Sequence, residues 1–496
     1  MHAAYRWSRW SVVSLFLVGT AAGCSRERSE GMPPQSAGKI PITTSSETAR
    51  QEYLTGRTLA ENLKAYDSRQ HFEQAIKDDS TFALAYYSLA LNSATAKGFF
   101  DNLHRAVALA DRVSEGERLM ILGLQAGANA DPQTQTTYLE QLVAKYPQDE
   151  RAHFLLGGSY AGRQHYAKAV DEYQKTVAIA PDFPPVYNSL GYNYRPTGNY
   201  AEAEKAFKKY IELIPGDPNP YDSYAELLMK TRRFEESIDM YRKALAIDPH
   251  FFNSYIGIAA DFMYLGKHDS AMAETGRLLD GARSDGERRA AMFTTTVIYT
   301  DQGKFDLALK ELEKQYAMGA QIGDTAAMSG DAFSMGEILL EAGKTAEALR
   351  RYDQSRDLLL ASSLSQDIKD NATLNHHFNL GRVALRRNNL ATAKSEAEAF
   401  MTGATAKHND FQIRQAHELQ GMIALQEKDY DKALAELGQA NQQNGYNLYR
   451  MGLAYAGKKD TGKQQEMFSK AANLNNLPTL NEAFVRTKAQ KQANTA

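Results

Sequence analysis

Four groups of residues are of types that could do chemistry. Cys24 is the only cysteine among 496 residues. A single thiol cannot close an intrachain disulfide, and it cannot build a Cys-rich zinc site or an iron–sulfur cluster. What it can do is accept a covalent group. The string GKKDTGKQ at 457–464 comes close to a phosphate-cradling loop. It fails because Gln464 stands where a hydroxyl would hold magnesium, and no strand precedes it. His376 and His377 are adjacent, so on a helix they point in different directions and make a poor metal pair. His417 and Glu418 begin HELQG, which lacks the second histidine of a zinc-binding helix. No G-x-S-x-G occurs. No triad or metal set converges in the sequence, so no cofactor and no enzymatic activity are expected.

The surroundings of Cys24 give the thiol a use. Arg6 and Arg9 form a basic start, Ser11 to Gly19 is a short apolar run, and the small residues Thr20 to Gly23 follow. This is the tripartite pattern of a secretory signal peptide over residues 1–23. The run is shorter than the ~20 residues a spanning helix needs. Two cleavage readings exist. One is an ordinary export signal cut near Ala22 or Gly23, giving a soluble periplasmic or secreted protein. In the other, Ala21-Ala22-Gly23-Cys24 resembles a bacterial lipobox, with Ala21 where that family usually has Leu. The resemblance implies that Cys24 becomes the first mature residue and carries diacylglycerol and further acyl chains such as palmitate. One chain alone anchors only marginally. Ser25, where Asp would retain the protein at the inner membrane, implies the outer membrane by resemblance to enterobacterial sorting. Residues 24–46 lack helical periodicity and are rich in Pro, Gly and Ser, which predicts a flexible tether behind the anchor.

The formal net charge is −3, and removing residues 1–23 with their two Arg takes it to −5. No basic excess is present to displace counterions from phosphates, so nucleic acid is not an expected partner. From residue 47 onward the pattern is helical, and three segments align without a gap: 150–183, 184–217 and 218–251. Gly157, Gly191 and Ala225 are small enough for two helices to approach closely. Tyr173, Phe207 and Tyr241 fill the gap to the next repeat, and Pro181, Pro215 and Pro249 end each second helix. With its 34-residue period, this resembles the tetratricopeptide repeat. The resemblance implies an all-α, right-handed α-solenoid of about twelve helical hairpins over residues 47–478. Residues 47–285 form the first array, with the clearest copies at 116–285. Residues 286–478 form a degenerate one, in which the small residues Thr296, Gly336, Gly381, Gly421 and Gly452 drift from the 34-residue spacing. Longer loops or longer helices would both account for the drift. GARSDGER at 281–288 is a candidate seam between the arrays, and 361–373 is a second irregular stretch. Residues 479–496 read as a polar tail, a frayed helix.

In that family the first helix of each hairpin lines the concave face. Projected onto this chain, the geometry places Asn188, Tyr192, Arg195, Asn219, Asp222, Glu226, Lys230, Asn253 and Met263 inward. Asp222 and Glu226 share a helical face. Asn and Tyr side chains suit the backbone of an extended peptide. The plainer reading is a hydrated wall with internal ion pairs such as Lys230 with Glu226. The Lys and Asn clamp that some relatives use for a chain-terminal carboxylate is not reproduced, since the aligned places hold Leu155, Gly158, Asn188, Tyr192, Asp222 and Glu226. Glu337 and Glu341 on one first helix should pair with Arg382 and Arg386 on the next. The expected function is an envelope-anchored scaffold or adaptor that binds other proteins or extended peptides through its groove. The alternatives are a hydrolase with a site hidden in the irregular C-terminal repeats, or the recruitment module of a signalling system.

Overall fold

The computed structural model describes residues 38–61, 64–477 and 479–495. Cys24 and the whole proposed signal segment lie outside them. Twenty-four helices pair into twelve antiparallel hairpins, and one helix follows. The first four hairpins are α1 (Glu47–Glu61) with α2 (Ala65–Asp78), α3 (Ala83–Leu91) with α4 (Ala96–Leu109), α5 (Glu115–Ala128) with α6 (Pro132–Lys145), and α7 (Glu150–Gly162) with α8 (Tyr166–Ile179). The next four are α9 (Pro184–Tyr194) with α10 (Tyr200–Leu213), α11 (Pro218–Lys230) with α12 (Phe234–Ile247), α13 (Phe252–Tyr264) with α14 (His268–Asp280), and α15 (Asp285–Asp301) with α16 (Phe305–Gln321). The last four are α17 (Thr325–Glu341) with α18 (Thr345–Ala361), α19 (Gln366–Arg386) with α20 (Leu390–Ala406), α21 (Asp410–Gln426) with α22 (Tyr430–Gln439), and α23 (Gly445–Gly457) with α24 (Thr461–Ala472). The final helix is α25 (Leu480–Thr495). No helix among the described residues is long and apolar enough to cross a membrane.

Local chemistry makes each hairpin. The turn carries one residue with positive φ: Ala130, Gln164, Gly198, Arg232 and Gly266, then Gly303, Gly343, Asn388, Lys428 and Lys459. That residue reverses the chain, and the amide after it bonds back into the first helix, as His165 N does to Tyr160 O at 2.9 Å. Above the turn a glycine of the first helix meets a ring of the second. A Cβ at Gly191 would lie 2.5 Å from Phe207, and one at Gly336 would lie 2.5 Å from Tyr352. Only a hydrogen fits there.

The solenoid coils back on itself. Hairpin turns near the N-terminus touch the loops that precede hairpins roughly one superhelical turn later. Asn129 donates to Asp367 at 3.0 Å and accepts from Ser365 at 2.8 Å. Arg163 donates to Asp410 at 2.6 Å, and Gln164 donates to Asn441 at 3.2 Å. The contacts join the third hairpin to the tenth and the fourth to the eleventh and twelfth, so a turn holds about seven hairpins.

Three expectations change. Residues 38–46 are not a loose tether. The backbone N–H of Ile40 donates to Asp149 at 2.7 Å, that of Thr43 donates to Glu117 at 2.7 Å, and Lys39 pairs with Glu150. Ile40 and Ile42 are buried, so this segment is a strap across the starts of α5 and α7. Residues 281–288 do not divide the core. Ile256, Leu278, Ala290 and Ala291 pack together across that place. The polar Arg283 instead reaches back over the Tyr66 ring at 4.5 Å and lies 3.7 Å from Asp67. Residues 480–495 are not a frayed tail but the docked helix α25. Leu480, Ala483, Phe484, Val485 and Ala489 are all buried. Their two i, i+4 pairs, 480/484 and 485/489, face two different walls, so no single apolar stripe marks the helix.

Candidate functional site

The first helices place the inward residues. On α9, Tyr192 packs edge-on against Phe207 with ring centroids 5.3 Å apart, and the Arg195 guanidinium sits 5.0 Å from the Tyr192 centroid. Arg195 also donates to Glu226 of α11 at 3.3 Å. The expected Lys230–Glu226 pair is therefore replaced by Arg195–Glu226. Burial pushes the Tyr192 phenol well above its ordinary range. Asn188, one helical turn before Tyr192, is half-buried, and its Oδ1 is cut off from water without a hydrogen-bond partner. Asn253 on α13 is half-buried as well.

Three of the inward candidates are closed off. Asn219 is buried and donates to the Tyr210 hydroxyl at 2.7 Å. Asp222 is buried and accepts from Ser254 at 2.7 Å. Met263 is fully buried beneath α25. Asp222 is closed because the neighbouring first helices α11 and α13 come close enough to bond, Asn219 because it bonds back to Tyr210 of the second helix α10, and Met263 because α25 covers it. Asp222 and Glu226 do share a helical face, but one is tied up and the other is paired.

Lys230 has a different job. Its ammonium donates to the carbonyl of Leu474 at 2.5 Å and to Asn476 Oδ1 at 2.9 Å. Burial, helped by the charge of Arg195, pushes its pKa down to about 7. The Tyr264 hydroxyl also bonds the Asn476 carbonyl. These contacts lead the chain into α25, which packs most extensively on its neighbour α24 and also touches α15, α17 and α23, all first helices. Only a concave surface can bring helices this far apart along a solenoid onto one short helix, so α25 lies inside the groove. Phe484 meets Phe305 with centroids 6.3 Å apart. Arg486 grips Asp301 with two bonds, at 2.5 and 3.1 Å, and Lys488 pairs with Glu341. Sequence reasoning missed Arg486, Lys488 and Asp301. The signal available was the pairing of Leu480 with Phe484 and of Val485 with Ala489.

The Glu337 and Glu341 pairs form as their spacing suggests. Arg382 donates to both oxygens of Glu337, at 2.6 and 3.0 Å, and Arg386 donates to Glu341 at 3.2 Å. The first pair is enclosed, since Glu337 is only 4% exposed and also accepts from the Tyr352 hydroxyl at 2.6 Å, whereas Arg386 of the second is exposed. The remaining polar groups are structural. His376 and His377 face apart, toward Asp353 at 3.1 Å and Glu396 at 2.6 Å. His417 bonds Glu436 at 2.7 Å. The 457–464 string forms the turn between α23 and α24. Among the described residues no group of three or more His, Cys, Asp or Glu could hold a metal ion.

Comparison with known proteins agrees with the clearest repeats. Residues 136–184 match one tetratricopeptide-repeat family model, and residues 184–217 and 219–251 match another. No curated protein matches the chain. Among solved structures, a tetratricopeptide repeat protein from Parabacteroides merdae is 15% identical, covers 55% of this chain and 94% of its own, and superposes with a TM-score of 0.35. A MamA structure from Desulfovibrio magneticus RS-1 is 15% identical, covers 34% of this chain and 94% of its own, and has a TM-score of 0.29. Another MamA structure is 18% identical, with 34% and 91% coverage and a TM-score of 0.28. The tetratricopeptide repeats make the chain, in general terms, a protein-interaction scaffold.

Proposed function

We propose that this chain is an envelope scaffold, held to the outer membrane by acyl chains on Cys24, and that it binds other proteins through the concave wall of α9, α11 and α13. Asn188 carries the reading. A shielded acceptor with no partner, one helical turn from Tyr192, is stabilised when a donor arrives. The N–H groups of an extended peptide are such donors. The lone cysteine behind a short apolar run supports the anchor. No observation among the described residues favours the hydrolase or the signalling alternative.

Two measurements test this. Cys24→Ala should move the protein from the membrane fraction to the soluble fraction; unchanged partition removes the anchor. A photo-crosslinker placed at Asn188 should capture a defined envelope protein, and Glu226→Lys should reduce that capture severalfold. No capture at native abundance would defeat the scaffold reading.

A further inference from the structure

The concave face has two stretches. One is the wall at α9 to α13 just described. The other, formed by α15, α17 and α23, is filled by the chain's own α25. We propose that this second stretch is a docking seat for a basic amphipathic helix of another protein, that α25 occupies it as a built-in surrogate, and that partner binding displaces α25. The proposal rests on the scaffold reading above and adds the chemistry of the partner.

α25 shows what the seat selects. Leu480 and Phe484 enter an apolar pocket made by Met263, Val297, Met335 and Ile338. Two residues after Phe484, Arg486 meets Asp301, and two further on Lys488 meets Glu341. A ligand of this seat is therefore a helix with Leu and Phe four apart, followed by Arg and then Lys at intervals of two. In α25 the helix spreads them: Leu480, Phe484 and Lys488, four apart, share one face and Arg486 projects from the other side, a spread that an extended strand, which lines all four along one face, does not give.

The seat is also built to survive release. A buried carboxylate that loses its sole partner is strongly destabilising. Here each carboxylate has a second one. Asp301 keeps His268 Nε2 at 2.8 Å, and Glu341 keeps Arg386 at 3.2 Å and the Tyr446 hydroxyl at 2.8 Å. Glu337, deeper in the same wall, is held by Arg382 and the Tyr352 hydroxyl. The outer residues Thr487, Gln490, Lys491 and Gln492 of α25 face solvent, and its release also requires the lead-in at Leu474 and Asn476 to part from Lys230 and Tyr264.

The test uses the full chain and a fluorescein-labelled peptide of residues 479–495. The chain carrying Phe484→Ala, Arg486→Glu and Lys488→Glu should bind the peptide at least tenfold more tightly than the unaltered chain does. A peptide with the same three changes should not bind. Equal affinity for both chains overturns the proposal. Hydrogen exchange on the unaltered chain guards against misfolding of the variant. Amides of α25 should exchange at least tenfold faster than those of α15 and α17, and equal protection means that α25 is a fixed part of the fold. Light scattering decides the other occupant: if the opened chain dimerises by exchanging α25, the seat serves a second copy and the proposal falls. Capture from Asn188 without peptide binding at the seat removes this inference alone, whereas no capture from Asn188 removes the reading beneath it.

Discussion

Hairpins four to seven and hairpins eight to eleven solve one problem at two lengths. In α7 to α14 the helices run 11 to 14 residues, whereas α15 to α21 run 17 to 21. The turns do not change. The glycine of the first helix meets the ring 16 residues later in both regions, at Gly157 and Tyr173, Gly191 and Phe207, and again at Gly336 and Tyr352. The added residues fall at the open end, before the glycine and after the ring. Gly157 is the eighth residue of its helix and Gly336 the twelfth, while Tyr173 and Tyr352 are each the eighth of theirs. The drift in spacing is thus helix extension and not loop growth. The close-packed turn end sets the fold, and the open end is where length can vary.

The largest expected difference between the regions is electrostatic. Arg382→Met leaves a carboxylate that is almost fully enclosed, and should cost about 3–5 kcal/mol, seen as lost amide protection in α17 and α19. Arg195→Met breaks a single longer bond to Glu226 and should cost about 1–2 kcal/mol in the regular region. Equal losses would erase the contrast.

Asp261 marks the border between the regions. It lies in α13, 34 residues after Leu227, fully buried and with no partner for either carboxylate oxygen. Burial raises its pKa from 3.8 to about 8. Between those pH values the folded chain holds a proton that the unfolded chain has released. Stability therefore falls as pH climbs from about 4 to about 8, by about 1.4 kcal/mol per unit. Asp261→Asn should flatten that slope, and unfolding midpoints at pH 6 and pH 8 measure it. An unchanged slope would mean that another group sets the pH dependence.

Gly191→Val and Gly336→Val each press a branched side chain into a ring and should each cost about 2 kcal/mol. Matching losses in denaturant titrations would show that one turn-end rule governs both regions. A tolerated Gly336→Val would confine it to the regular one. At the smallest end, Arg351→Ala removes a half-exposed pair with Glu313 between α16 and α18, and should change stability by about 0.5 kcal/mol or less.

What could be read from the sequence follows from distance along the chain. The pairing of Gly191 with Phe207 and the bridging of Glu337 to Arg382 join residues in one hairpin or in adjacent ones, so spacing exposes them. The contacts of Asn129 with Asp367 and of Lys230 with Leu474 join residues more than 230 positions apart, and no local period records them. The strap was hidden for another reason. Lys39 and Thr43 are polar and read as solvated, yet they bond Glu150 and Glu117 in the first turns of α7 and α5. In the candidate site, spacing sets Asn188, Tyr192, Asp222, Glu226 and Lys230 on first helices, as their positions in α9 and α11 show. The closure of Asn219 and Asp222 was not legible, because it depends on how tightly successive hairpins coil.

The strap has a mechanical consequence. Under the anchoring proposed above, residues 25–38 set the covalent reach between Cys24 and the first fixed point, at most about 50 Å at roughly 3.5 Å per residue. A pull from such an anchor is taken up at Lys39, Ile40 and Thr43 before it reaches α1. The load enters at the third and fourth hairpins through bonds strained side by side, and the first hairpin is spared from being peeled away.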